Sequence, residues 1–119
     1  MEETKVVILS SEKLNDLDIL EKYYDEIKEF LDTNLPKNSF ITIGNIKNGN
    51  LINFLKTKGY LINKKLQHVN SLENSNKKLI RENDMIIFFH YNKSSIIRNF
   101  IEYAQNFDSK EIKILNFEH

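Results

Sequence analysis

Asp84 to Ala104 limits what this chain can fold into more than any other stretch. It reads Asp-Met-Ile-Ile-Phe-Phe-His, then Tyr-Asn-Lys-Ser-Ser, then Ile-Ile-Arg-Asn-Phe-Ile-Glu-Tyr-Ala. The first part is an unbroken apolar run of strand length, rich in β-branched and aromatic residues. Such a run suits a strand buried on both faces, as in a parallel sheet. In the last part Ile97, Ile101, Ala104 and Phe107 recur at helical spacing. The polar middle is then the turn at the carboxyl end of a buried strand, opening into a helix. Open α/β sheets bind ligands at that edge.

The rest of the chain repeats the pattern. Val6 to Leu9 is a second buried strand, followed by the polar turn Ser10-Ser11-Glu12-Lys13. Asp16 or Asp18 is the N-cap of a helix carrying Leu20, Tyr23, Tyr24, Ile27, Phe30 and Leu31. Pro36 predicts its end near Asn34. Ser39 to Ile43 is a third strand. Gly44 to Asn50 holds two of the three glycines in the chain, which predicts a turn with special backbone angles. A short helix over Leu51 to Leu55 stops at Gly59, a C′ residue. Tyr60 to Ile62 and Leu66 to Val69 are alternative strands, Leu72 to Arg81 is a weakly marked helix, and Ser109 to Phe117 is a last strand. The alternation predicts one α/β domain over residues 1–119, a doubly wound, mainly parallel five-strand sheet with helices on both faces.

Charge and composition narrow the partners. The chain has 119 residues, with 17 basic and 17 acidic side chains. That balance disfavours a general grip on nucleic acid or on an anionic membrane. No apolar run has the length of a transmembrane helix, and Met-Glu-Glu-Thr-Lys is not a signal peptide. The absence of Cys removes disulfides, thiolate nucleophiles and zinc-thiolate sites. A cytoplasmic location is the default expectation, and no cofactor motif is present.

Three stretches together resemble the SLOG superfamily, a Rossmann-like group that binds nucleotides and nucleotide-derived ligands, and its YspA-like branch in particular. That branch ends its first strand in Gly-Ser-Arg, where this chain has Leu9-Ser10-Ser11. Its Gly-Gly turn after the second strand matches Gly44-Asn45, and the later Gly and Asp match Gly49-Asn50. Its Arg-Asn, Met and Ala-Asp fall on Ser75-Asn76, Leu79 and Asn83-Asp84. Its Ser-Lys-Gly-Thr and Ile-Glu-Leu-Ala fall on Ser94-Ser95-Ile96-Ile97 and Ile101-Glu102-Tyr103-Ala104. The resemblance implies a ligand site built from Ser10, Ser11, Gly44, Asn45, Gly49, Asn50, Asn76, His90, Lys93, Ser94 and Ser95. The losses count as well. Ser11 and Ser75 stand where two arginines would meet a phosphate, and Ile96 adds bulk where Gly would admit one. The resemblance thus implies the scaffold with an altered or abolished ligand.

Each candidate also has a plainer reading. Gly44 and Gly49 either cradle a phosphate or make a tight turn, with Lys47 between them as charge or solvent-facing side chain. Ser94 or Ser95 caps a helix, and a capped N-terminus still presents backbone donors. His90 is an acid/base group, a hydrogen-bond donor to a ligand, or a structural or half-exposed residue, and His68 has no assigned place. Asn76 contacts a base or ribose, or serves as a cap or loop residue. Tyr91 stacks on a base or covers the end of the core. Glu102 is a family position or a surface ion pair. No metal-ligand spacing joins the three histidines, and no catalytic set is recognisable, so an enzyme is not favoured. Three functions stay open: a nucleotide-type binder, a closed scaffold for protein binding or homo-oligomer formation, and a nucleotide or nucleoside hydrolase or transferase.

Overall fold

A computed structural model describes residues 3–44, 49–63, 72–91 and 94–117. Five strands, β1 (Thr4–Ser10), β2 (Ser39–Ile43), β3 (Ile62–Asn63), β4 (Met85–Tyr91) and β5 (Glu111–Phe117), form one sheet in the order β3-β2-β1-β4-β5. Every neighbouring pair is parallel. The predicted doubly wound α/β fold is therefore the observed one.

Side chains of the central strands alternate between the two faces of the sheet, and the alternation assigns the helices. Val6 and Ile8 of β1, with Met85, Ile87, Phe89 and Tyr91 of β4, pack with α1 (Leu17–Lys22), α2 (Tyr24–Asn34) and α3 (Gly49–Thr57) on one face. Val7, Leu9, Ile86 and Phe88 pack on the other face with α4 (Leu72–Glu82) and α5 (Ser95–Ala104). β1 and β4 are buried on both sides, which is why they read as continuous apolar runs. Each such Val, Ile, Leu or Phe contributes about 1.5–3 kcal/mol by leaving water. Edge-to-face rings join the first face from α2 to β5: Phe30 to Phe89 at 6.3 Å, Phe89 to Phe117 at 6.1 Å, and Phe117 to Tyr23 at 5.0 Å between centroids.

The helix expected after β1 is divided. A 3-10 turn, Glu12–Asn15, comes first, and Tyr23 (φ −103°, ψ 15°) separates α1 from α2. Both helices still share one inward stripe, Leu20, Tyr23, Ile27 and Leu31. Asp16 is the N-cap, accepting the Asp18 N–H at 2.9 Å. α2 ends where predicted, with Leu35 extended before Pro36. Gly59 ends α3 region as a left-handed residue, φ 96°. Of the alternative strands, residues 62–63 form β3, and Leu66 to Val69 lies outside the described residues.

α4 explains its own weak sequence signal. Its inward stripe is Ser75, Asn76, Leu79, Ile80 and, past its end, Asn83, so three of these five buried positions are polar. Asn83 donates to the Leu79 carbonyl at 2.7 Å, and the Lys110 ammonium donates to the Arg81 and Asn83 carbonyls at 2.8 Å each. These bonds complete carbonyls that a helix terminus leaves open and set a cation at its negative end.

Candidate ligand-binding edge

The connections from β1 run toward β2 and those from β4 run toward β5, so the strand order reverses between β1 and β4. Their carboxyl ends lie side by side, with Ser10 opposite Phe89. At such a reversal the two exit turns diverge to opposite faces and leave a crevice. Ser10, Ser11, His90 and the start of α5 are brought to this place.

Ser11 carries the ladder one step beyond β1. Its N–H donates to the Phe89 carbonyl at 2.9 Å, and its hydroxyl oxygen accepts the Tyr91 N–H at 3.0 Å. The hydroxyl thus replaces a backbone carbonyl and fixes the exit of β4. Ser10 donates its hydroxyl to the Ser11 carbonyl at 3.2 Å. Both serines are buried, and these bonds give them a structural duty at the carboxyl ends of β1 and β4.

Gly44 extends β2 in the same way, donating its N–H to the Ile8 carbonyl at 2.8 Å. A Cβ on Gly44 would stand 2.0 Å from Leu9 Cδ2 and 3.1 Å from the Asn76 carboxamide oxygen. A side chain here would force Leu9 to shift within the core. The special backbone angles expected of the Gly44 to Asn50 turn are not found at either glycine: of the three glycines only Gly59 has positive φ. Gly49 is the first residue of α3 and has open space around it. Asn45, Lys47 and Lys93 lie outside the described residues, as does His68.

Asn50 has a partner that the sequence did not announce. The Asn15 side-chain oxygen accepts the N–H groups of Asn50 at 2.9 Å and Leu51 at 3.2 Å. The Asn50 carboxamide donates to the Asn15 carbonyl at 2.8 Å. An internal amide oxygen therefore holds the start of α3, where a phosphate-binding turn would direct its donors. Residues 35 positions apart make this cap, so no local motif could reveal it.

Asn76 is fully buried within α4 beside Gly44 and Leu9, and Ser75 beside it is equally buried. Its expected place at a cap is corrected, because its helical position turns it onto the sheet. His90 follows Ile86 and Phe88 on the α4/α5 face and is half-buried. Its Nε2 is sealed from solvent and makes no hydrogen bond among the described residues. A buried polar atom in that condition calls for a partner.

Ser94 is the N-cap of α5 and accepts the Ile97 N–H at 3.4 Å. Ser95 is exposed. Ile96 is 56% exposed, so its bulk stands at the helix surface, while Ile97 enters the core. Tyr91 is buried in an edge contact with Tyr23, centroids 6.2 Å apart, and covers the core rather than offering an open stacking face. Burial pushes its phenol up from the ordinary value, and Tyr23 and the charge on Asp16 add to that shift. Glu102 lies exposed on α5.

Comparison of the chain with protein-family models, with curated proteins and with solved structures gives no match.

Proposed function

We propose that the chain binds a nucleotide or nucleotide-derived ligand across the carboxyl ends of β1 and β4. The carrying observation is the reversal of the strand order between β1 and β4, with half-buried His90, whose Nε2 has no hydrogen-bond partner among the described residues, beside it. The order and spacing shared with the SLOG group support the ligand class. α5 offers the phosphate seat in this reading. Ser94 engages the N–H of Ile97, while Ser95 and Ile96 occupy the first two helical positions, whose N–H groups have no partner within a helix. α3 is not the seat, because Asn15 holds its start.

Thermal-shift and calorimetric titration with mononucleotides, cyclic nucleotides and ADP-ribose tests the reading. A true ligand at a hundredfold excess over Kd stabilises the fold by about 2.7 kcal/mol, and His90→Ala weakens that response. Unchanged melting with all three classes defeats the proposal.

A second reading, a closed scaffold for protein contacts, draws support from the same edge. Asn15 holds α3, the Ser11 hydroxyl staples β4, and Leu9 occupies the space beside Gly44. Under it, nucleotides leave the melting unchanged and a macromolecular partner does not.

A further inference from the structure

The two edges of the sheet are unlike. β3 has two residues, whereas β5 has seven and is the last strand on its side. β5 pairs with β4 from Glu111 to Phe117 without a bulge and contains no Pro. Short strands, bulges and Pro are the usual ways of blunting a sheet edge, and β5 has none of them. The Glu111 N–H donates to the Asp84 carbonyl at 3.1 Å. Glu111 and, by alternation, Lys113, Leu115 and Phe117 therefore turn their backbone groups to β4. Ile112, Ile114 and Asn116 turn theirs outward, where no described residue meets them.

The side chains add a charge pattern. Leu115 and Phe117 pack on the α2 side of the sheet, so Lys113 stands on that side too. Between α2 and β5 lies a hollow of about 320 Å³, with Phe30 and Leu115 as its apolar walls and Glu26 and Glu29 among its polar ones. Lys113, Glu26 and Glu29 make no ion pair among the described residues.

We propose that β5 pairs antiparallel with β5 of a second copy, about a two-fold axis through Ile114, and that Lys113 of each copy enters the acidic hollow of the other. In such a pairing, outward-turned residues must face outward-turned residues. Centred on Ile114, the strands overlap over their full length: Ile114 faces itself and Ile112 faces Asn116. Lys113 then faces Leu115 of the other copy in a non-hydrogen-bonded pair, with Cα atoms about 4.5 Å apart. Leu115 walls the hollow, so the lysine stem lies along apolar surface and its ammonium meets Glu26 and Glu29. The neighbouring register, centred on Lys113, sets two lysines directly opposite and is disfavoured. The axis stands perpendicular to the sheet and keeps both α2 helices on one side, so the contact is made twice. Any strand could satisfy the backbone edge; the unpaired base and the unpaired acids on one face are what a second copy matches. The pairing uses none of the residues at the β1–β4 edge and is tested separately from ligand binding.

Light scattering after gel filtration, with sedimentation equilibrium, reads the mass of the full chain. It should rise with concentration toward twice 14.1 kDa. Lys113→Glu should leave the circular dichroism unchanged and raise the dimer Kd by about tenfold or more, because it sets like charges together at two places. Glu26→Lys with Glu29→Lys should weaken the dimer as well, and joining these changes to Lys113→Glu should restore it. Amide hydrogen exchange should show Ile112 and Ile114 gaining protection as concentration rises, while Lys113 and Leu115 are protected throughout. A mass that stays at one chain overturns the proposal. A dimer in which the Ile114 amide exchanges as fast as in the monomer overturns it too. So does a dimer strengthened by Lys113→Glu, since the lysine would then be guarding a bare edge.

Discussion

Asn15 and Asn50 bind each other reciprocally across the exits of β1 and β2: side-chain oxygen to backbone N–H at 2.9 Å, and carboxamide to backbone carbonyl at 2.8 Å. The pair ties the 3-10 turn after β1 to the first turn of α3. It does the work of an N-cap from outside the helix's own sequence, and it occupies N–H groups at the start of α3.

Asn15→Ala should cost about 0.5–2 kcal/mol, the usual loss for a removed helix cap. Urea denaturation measures it. Asn50→Ala added to Asn15→Ala should cost less than it does alone: the Asn15 backbone carbonyl that accepts the Asn50 carboxamide survives the first change, but the turn that presents it is no longer held by the Asn15 side chain. Full additivity of the two losses would show that they do not act as a unit.

Gly44→Ala should destabilise by about 1–3 kcal/mol through overpacking, since the new methyl would meet Leu9 at 2.0 Å. The same change in a Leu9→Ala background should cost less, because the obstruction is gone. Equal costs in both backgrounds would contradict the packing account of this glycine.

Much of the fold was legible because the central strands are buried twice. Val6 to Leu9 and Met85 to Phe89 leave no polar position to confuse the period, and Pro36 and Gly59 mark helix ends through backbone chemistry alone. α4 was faint because Ser75 and Asn76 occupy its inward face, and a helix that buries polar groups lacks an apolar stripe. The site was less legible. Ser11, Gly44 and Asn50 stand past the carboxyl ends of β1 and β2, but their duties come from Tyr91, Leu9 and Asn15, distant in sequence. The two glycines suggested unusual backbone angles, whereas Gly44 answers to a neighbouring side chain and Gly49 to none. Local sequence records which turn a residue occupies; the partner is supplied by the sheet order.

Ser11→Ala removes the oxygen that accepts the Tyr91 N–H in a buried place. Leaving that donor unsatisfied should cost about 1–3 kcal/mol. Amide hydrogen exchange should show Tyr91 losing protection while Ile87, in the middle of β4, keeps it. Equal loss along β4 would mean that the serine acts globally instead of at the strand exit.

Tyr60 donates its hydroxyl to Asp32 at 2.8 Å, and Lys28 pairs with the same carboxylate. Burial and then the Asp32 hydrogen bond push the Tyr60 phenol above its ordinary value of 10.0. The fold favours the neutral phenol, so this stabilisation is complete below the ordinary value and is lost as pH rises from about 10 toward the folded-state value. Tyr60→Phe should therefore show a shallower fall of Tm above that pH than the parent chain. Part of the fall should persist, because Tyr91 is raised in the same direction. On the acid side, Lys28 and then Tyr60 hold the Asp32 carboxyl below its usual value, so its contribution is present at neutral pH and disappears on acidification. Parallel alkaline curves for Tyr60→Phe and the parent would contradict the Tyr60 assignment.

The most direct measurement is an amide NMR titration of the full chain with AMP and ADP-ribose, followed residue by residue. The account predicts saturable shifts concentrated at Ser11, His90, Ser95 and Ile96, with the His90 ring signals moving and the β3 side of the sheet unchanged. Saturable shifts centred on the start of α3, or no shifts with either ligand, would contradict it.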